Sequence, residues 1–359
     1  MLALLAWLLL THTPTRSVDA ATLQAGGQWP GATVSLYMES VDLGVSTFYG
    51  SMAPHLLSRY SLIVLDYGQP WFNADTEEHG VNYFDRDATF ASDDAVETSA
   101  ENFIAAYINN APSGQGPATF GIGLNNFASS DPQSDITESH GLLWSQMVVR
   151  INQWIQSQGY QGSWDATGAV DFEVDYAHVI PTRAWVTGYN EASSILPYYY
   201  IGDCAGCPLA DRDVQDCPPP TGGYCDVANA GINNDWSVED VYYLSHGRLG
   251  SGAGAFAVPQ IYTDATAQEW EYIYLYGQSN PPPVGGSFLM WGILNNSVSK
   301  YQQMETILYT PREGWDAMLG AMRGPQPYTV FTHQSFDPWY STDIAYEQSD
   351  WLNFPTCFA

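Results

Sequence analysis

The chain has 359 residues, with 39 Asp plus Glu against 10 Lys plus Arg and a formal net charge of −29. Like charge argues against nucleic acid and anionic membrane surfaces as partners, and Lys300 is the only lysine available to hold a phosphate. A hydrophobic share of 45%, with 13 Trp, 24 Tyr and 14 Phe, excludes a disordered polyanion and supplies enough apolar matter for one large domain.

The first ten residues are apolar and the next ten turn polar, with Val18 and Ala20 where a signal peptidase takes small residues. This predicts a signal peptide over 1–20, cleavage after Ala20 and an exported, secreted or cell-surface protein. The basic start of a typical signal is absent, so either the true start lies upstream or the signal is atypical, and a short membrane anchor is a competing reading. No later run approaches the roughly 20 apolar residues of a membrane helix, so the mature chain is not expected to be an integral membrane protein.

Residues 32–38 read as a first strand, and a helical pattern over 52–60 leads to a second strand, 62–68, which ends in Asp66 and Tyr67. The polar, aromatic stretch 69–91 is too long for a plain connector and is expected to carry function or cover something. A helix over 94–109 precedes strand three, 118–126. There Phe120, Ile122 and Leu124 share one face, while Gly121, Gly123 and Asn125 share the other and leave room beside them. A helix over 138–158 leads to strand four, 169–175, with Val170, Phe172 and Val174 on one side and Asp171, Glu173 and Asp175 on the other.

Pro181 opens the next helix in its favoured first turn. Strand five, 195–202, contains three consecutive tyrosines and runs into a cysteine-rich excursion over 203–234. Cys204, Cys207, Cys217 and Cys225 could hold zinc, but in an oxidising compartment two loop-stapling disulfides suit them better, and Cys357 is left over. Residues 241–246 read as strand six, with helix competing because Ser237 to Asp240 resembles a capping box. Strand seven is 255–263, followed by a helix over 265–276. Strand eight is 287–295, a helical pattern runs over 298–322, and the remainder reads as aromatic loop.

Repeated alternation of strand and helix implies an α/β fold with a parallel sheet, and eight units imply a closed (β/α)8 TIM-like barrel with a cysteine-rich insertion after strand five. An open doubly wound sheet is the competing layout, but no glycine-rich nucleotide loop follows the first strands. The absence of an internal repeat or linker makes 21–359 a single domain.

In a closed barrel the apolar face of strand four meets the outer helices and its acids enter the lumen. Three acids cannot share a dry lumen ionised, so the row must reach solvent or hold raised pKa values. The carboxyl ends of the strands carry acids, amides and aromatics: Asp66, Tyr67, Asn125, Asn126, Tyr200, Asp203, His246, Gln260, Tyr262, Trp291 and Asn295. Saccharides exchange hydrogen bonds with amides, donate them to carboxylates and stack on rings, so the collection suits a glycan. Acid pairs about 5 to 5.5 Å apart serve retaining glycosidases and pairs about 6.5 to 9.5 Å apart serve inverting ones, and side-chain freedom on one strand spans both. Glu173 is the expected general acid, with Asp171 or Asp175 as its partner.

The Asp171-Phe172-Glu173 motif at the end of a fourth strand resembles the Asp-any-Glu of glycoside hydrolase family 25 lysozymes and the acidic strand-four motif of family 18 chitinases. That resemblance implies a barrel fold, Glu173 as proton donor and Asp171 as the acid that assists or positions. Barrel glycosidases also commonly have a tryptophan on the last strand, here Trp291. The chain departs from the lysozymes where Met38-Glu39-Ser40 stands in place of a first-strand Asp, and from the chitinases where the row ends in Asp175.

Competing chemistries fit less well. No Gly-any-Ser-any-Gly elbow is present, and the seven histidines lack the His-Glu-any-any-His spacing. Asp171, Glu173 and Asp175 could instead bind calcium as oxygen ligands; otherwise no cofactor is expected. A noncatalytic alternative is a glycan-binding or cell-surface structural barrel.

Overall fold

Eight parallel strands pair in a ring. In this computed structural model the described residues are 29, 31–56, 61–83, 89–113, 117–127, 134–160, 164–192, 196–208, 235–246, 254–279, 290–296, 309–323 and 336–345. Residues 1–20, most of the 203–234 excursion with Cys217 and Cys225, and Cys357 lie outside them. Cys204 and Cys207 lie at disulfide-bonding distance, with Cα atoms 5.5 Å apart. Among the described residues no helix is long and apolar enough to cross a membrane.

The barrel strands are β1 (Thr33–Tyr37), β2 (Ser61–Asp66), β6 (Ala118–Asn125), β7 (Trp164–Asp171), β8 (Tyr198–Tyr200), β9 (Ala255–Ala257), β10 (Met290–Asn295) and β11 (Phe336–Ala345). Each pairs with the next in that order, and β11 returns to β1, with Thr33 opposite Thr342 and Leu36 opposite Ala345. Between them run α1 (Leu43–Met52), α2 (Asp93–Asn110), α3 (Glu138–Ser157), α4 (Val179–Ala192), α5 (Val238–His246), α6 (Asp264–Ser279) and α7 (Pro311–Arg323). This is a mixed α/β fold with the layout of a TIM-like barrel. A small antiparallel sheet, β3 (Gln69–Asn73), β4 (Glu78–Asn82) and β5 (Phe90–Ser92), fills the long segment after β2.

The side-chain alternation of β7 decides the layering. Val170, Phe172 and Val174 join the large outer core against the helices, while Ala169 faces a second cluster of Leu62, Val64, Tyr199, Ile201, Val258, Leu294 and Ile344 that fills the lumen. The glycine face of strand three leaves no vacancy: a Cβ on Gly121 would stand 3.0 Å from the Ala169 Cβ, and one on Gly123 3.1 Å from the Asp66 Cα. Glycine there buys close packing of neighbouring strands.

Several sequence expectations are corrected. Residues 241–246 are helical, because Ser237 and Asp240 form a reciprocal cap: the Asp240 carboxylate accepts from the Ser237 N–H at 3.0 Å and its hydroxyl at 2.6 Å. The sixth and seventh barrel strands are therefore β9 and β10, and the eighth is β11, in the stretch expected to be loop. β11 presents Thr342 to the lumen, where its hydroxyl bonds to Ser35 at 2.7 Å. That polar pairing breaks the apolar signature of a buried strand. β7 begins at Trp164 and ends at Asp171, so Glu173 lies beyond the strand and Asp175 sits in an exposed turn. The helical pattern expected from 298 is described only as α7.

Candidate active site

β7 delivers Asp171 to the carboxyl end of the barrel, where it is 3% exposed and lies in register with Asn125 of β6. Glu173 follows two residues later and keeps part of its surface open. Its backbone is clamped by Asn126, whose side-chain oxygen accepts from the Glu173 N–H at 2.9 Å and whose amide donates to the Glu173 carbonyl at 3.0 Å. The same amide reaches Thr182 Oγ1 on α4 at 3.2 Å, tying the loop to the helix that follows.

Gln260 joins the two acids. Just after β9 and 3% exposed, it donates from Nε2 to Asp171 Oδ1 at 2.6 Å and to Glu173 Oε1 at 3.0 Å. Two tyrosines complete the hydrogen bonding, Tyr37 to Asp171 and Tyr176 to Glu173. Asp66, fully buried at the end of β2, accepts from the Gly68 N–H through Oδ1, while its Oδ2 has no hydrogen-bond partner. Asp203 accepts from the Ala205 N–H at 3.3 Å.

Burial governs the electrostatics. It pushes Asp66 up to about 7 and Asp203 up to about 6. Asp171 rises well above the usual carboxylate range through burial and then the nearby Asp66 and Asp203 charges, against which the Gln260 and Tyr37 hydrogen bonds pull it down. Glu173 is raised by burial, then by Asp203 and Asp171, with Gln260 and Tyr176 opposing. None of the leading influences on these four acids is a cation among the described residues. Desolvation and mutual repulsion therefore favour shared protons at the mouth. Tyr37, Tyr176 and Tyr262, which feel the same acids, are pushed up by burial and stay neutral hydrogen-bond donors.

The structure thus brings together Asp66, Asn125, Asn126, Asp171, Glu173, Gln260 and Tyr262 from the sequence-derived set, with Asp203 beside them. Asp175 flanks the cluster from its exposed turn and raises Asp203. Other expected contacts point elsewhere. Tyr67 turns to the helix layer and donates to Ser99 on α2 at 3.1 Å. Tyr200 also faces outward, and its hydroxyl donates to the Phe172 carbonyl at 2.5 Å, bracing the end of β7 from behind. Trp291 is the second residue of β10, at the amino end of the barrel, with its ring 4.4 Å from that of Phe256. His246 closes α5, where its ring stacks on Tyr242. Sequence reasoning missed Tyr37 and Tyr176. Tyr37 ends β1 and was open to the same strand-end rule as Asp66, whereas Tyr176, in a turn, carries no periodic signal.

Among the described residues no group of three or more His, Cys, Asp or Glu side chains is arranged to hold a metal ion. Asp175, needed for the calcium reading, sits in an exposed turn, whereas Asp171 is buried and Glu173 partly so. The class defined by this fold and site is a closed parallel barrel with buried, hydrogen-bonded acids at its carboxyl end. No protein-family model, curated protein or solved structure matches the chain.

Proposed function

We propose that this protein is an exported glycoside hydrolase acting on a polysaccharide or peptidoglycan-like glycan at the carboxyl end of its barrel. The observation that carries the reading is the single Gln260 amide shared by Asp171 and Glu173. It holds a buried acid and a more open acid side by side, each also bonded by a tyrosine hydroxyl. The apolar start of the chain and the small residues Val18 and Ala20 support export.

In this reading Glu173, kept protonated by its surroundings, gives its proton to the glycosidic oxygen as the bond to the anomeric carbon breaks. Asp171, in its ionised form, meets the positive charge that develops on the sugar. Water then adds to the anomeric carbon and returns a proton to Glu173. Two oxygens bound to one nitrogen at 2.6 and 3.0 Å lie close together. That spacing favours retention, which goes with separations of about 5 to 5.5 Å, over inversion at about 6.5 to 9.5 Å.

The test is reducing-end release by the chain from Ala21 onward across wall and plant glycans between pH 4 and 8. Wild type is expected to release ends, and Glu173→Gln to lose roughly 100-fold or more of that rate while still folding. No release by either folded protein, with retention on cell walls, would replace this reading with a noncatalytic glycan-binding barrel.

A further inference from the structure

The three residues that leave β6 are each committed to the mouth of the barrel. Asn125 lies opposite Asp171 and Asn126 clamps Glu173, as described above. Phe127 comes next, its N–H donating to Asn125 Oδ1 at 2.9 Å, so its backbone is fixed in a tight side-chain turn. Its ring is not used for packing in the usual way. It is 46% exposed, and among the described residues its ring meets that of Tyr176, with centroids 5.6 Å apart and planes crossing at 80°.

Position distinguishes this ring from other exposed apolar groups. Leu43, Phe48 and Ile180 are the other large exposed hydrophobics among the described residues, and they lie on α1 and α4. Leu43 and Ile180 are aliphatic and open their helices, and Phe48 lies within α1, whereas Phe127, two residues past the end of β6, is the exposed phenylalanine at the carboxyl end of a barrel strand among the described residues. Its ring neighbour Tyr176 hydrogen-bonds the Glu173 carboxyl, so a continuous path runs from the open aromatic face to the acid. The two rings form a corner with one flat apolar wall and one wall carrying a hydroxyl.

A pyranose matches such a corner, because its C–H face is apolar and its rim is lined with hydroxyls. Burying the C–H face removes apolar area from water, and a ring on fixed backbone has little freedom to lose. Resting on the glycan reading above, we infer that Phe127 is the platform of a second sugar subsite, on which the pyranose adjoining the cleaved bond stacks, with Tyr176 linking that subsite to Glu173.

The test measures binding by the full chain carrying Glu173→Gln, using chitohexaose, N-acetylchitohexaose, cellohexaose, xylohexaose and mannohexaose as probes. Adding Phe127→Ala is expected to weaken the best-bound hexasaccharide about tenfold, and Phe127→Leu nearly as much, because a leucine keeps the apolar character but not the flat face. Phe127→Trp is expected to hold or tighten binding. In the otherwise wild-type chain, Phe127→Ala raises KM for the hexasaccharide and leaves kcat nearly unchanged. Unchanged affinity in Phe127→Ala, or full affinity in Phe127→Leu, would overturn the platform while leaving the glycosidase reading intact. Hexasaccharide binding that depends on Phe127 in a chain without turnover would keep the platform and remove the glycosidase. Absence of binding by every probe would remove both.

Discussion

Gln260 is the residue on which the acid pair turns. Its two amide hydrogens go to Asp171 and Glu173 and stabilise the ionised form of each, countering the burial that raises them. Gln260→Leu keeps similar bulk and removes both donors. Each acid then holds its proton to higher pH. Because the proposed glycosidase mechanism needs Asp171 ionised, the acid limb of the kcat profile is expected to move upward in pH, with kcat at its maximum reduced on the order of 100-fold. A profile that keeps its position would show that the amide does not set the protonation of the pair. Tyr67 and Tyr200 show why identity at a strand end is insufficient. Alternation from Leu62 and Val64 places Asp66 in the lumen and therefore Tyr67 outside it, and the same count from Tyr199 turns Tyr200 outward.

The α3 and α4 pair holds the loops that carry these residues. The two helices meet backbone to backbone at glycines: a Cβ on Gly141 would stand 2.0 Å from the Trp185 carbonyl oxygen, and one on Gly188 1.8 Å from that of Glu138. Neither contact can yield by rotating a side chain, so the helices must separate. Gly141→Ala and Gly188→Ala are each expected to cost about 1–3 kcal/mol, read from denaturant unfolding. A loss confined to a few tenths would mean the crossing is looser than its geometry. Legibility at this scale followed the polarity of each element. β2 and β6 were readable because a buried parallel strand is nearly continuous in apolar residues. β11 was hidden because Ser341, Thr342 and Asp343 interrupt that signal, and α5 was ambiguous because six apolar and polar residues fit either period. The acidic motif was legible because carboxylates inside a fold demand an explanation. Phe127 and Tyr176 were not, since an aromatic near a binding site has the same sequence signature as one in a core.

Across the whole molecule, the buried acids link stability to pH. In the unfolded chain Asp and Glu titrate near 4. In the fold Asp203 keeps its proton to about 6, Asp66 to about 7 and Glu269, buried on α6 beside Asp203, to about 8. Between those limits the native state binds more protons than the unfolded one. Stability from these groups is therefore complete below about pH 4 and is lost as pH rises toward 8, by about 1.4 kcal/mol per pH unit for each group inside its own window. Urea unfolding measured from pH 4 to 8 should show that decline, and Asp66→Asn and Glu269→Gln should each flatten part of it. A slope unaltered by both variants would assign the decline to general repulsion within a chain of charge −29.

The ring closes by pairing β1 with β11, and the Ser35 and Thr342 hydroxyls that meet in the lumen are 307 residues apart in sequence. During synthesis at about 5–20 residues per second, β1 therefore waits roughly 15 to 60 s on the ribosome for the strand that completes it. Throughout that interval one edge of β1 is an unpaired row of backbone donors and acceptors, open to any other strand. A pause in translation before residue 345 is expected to prolong exposure of the edge that the finished barrel abolishes.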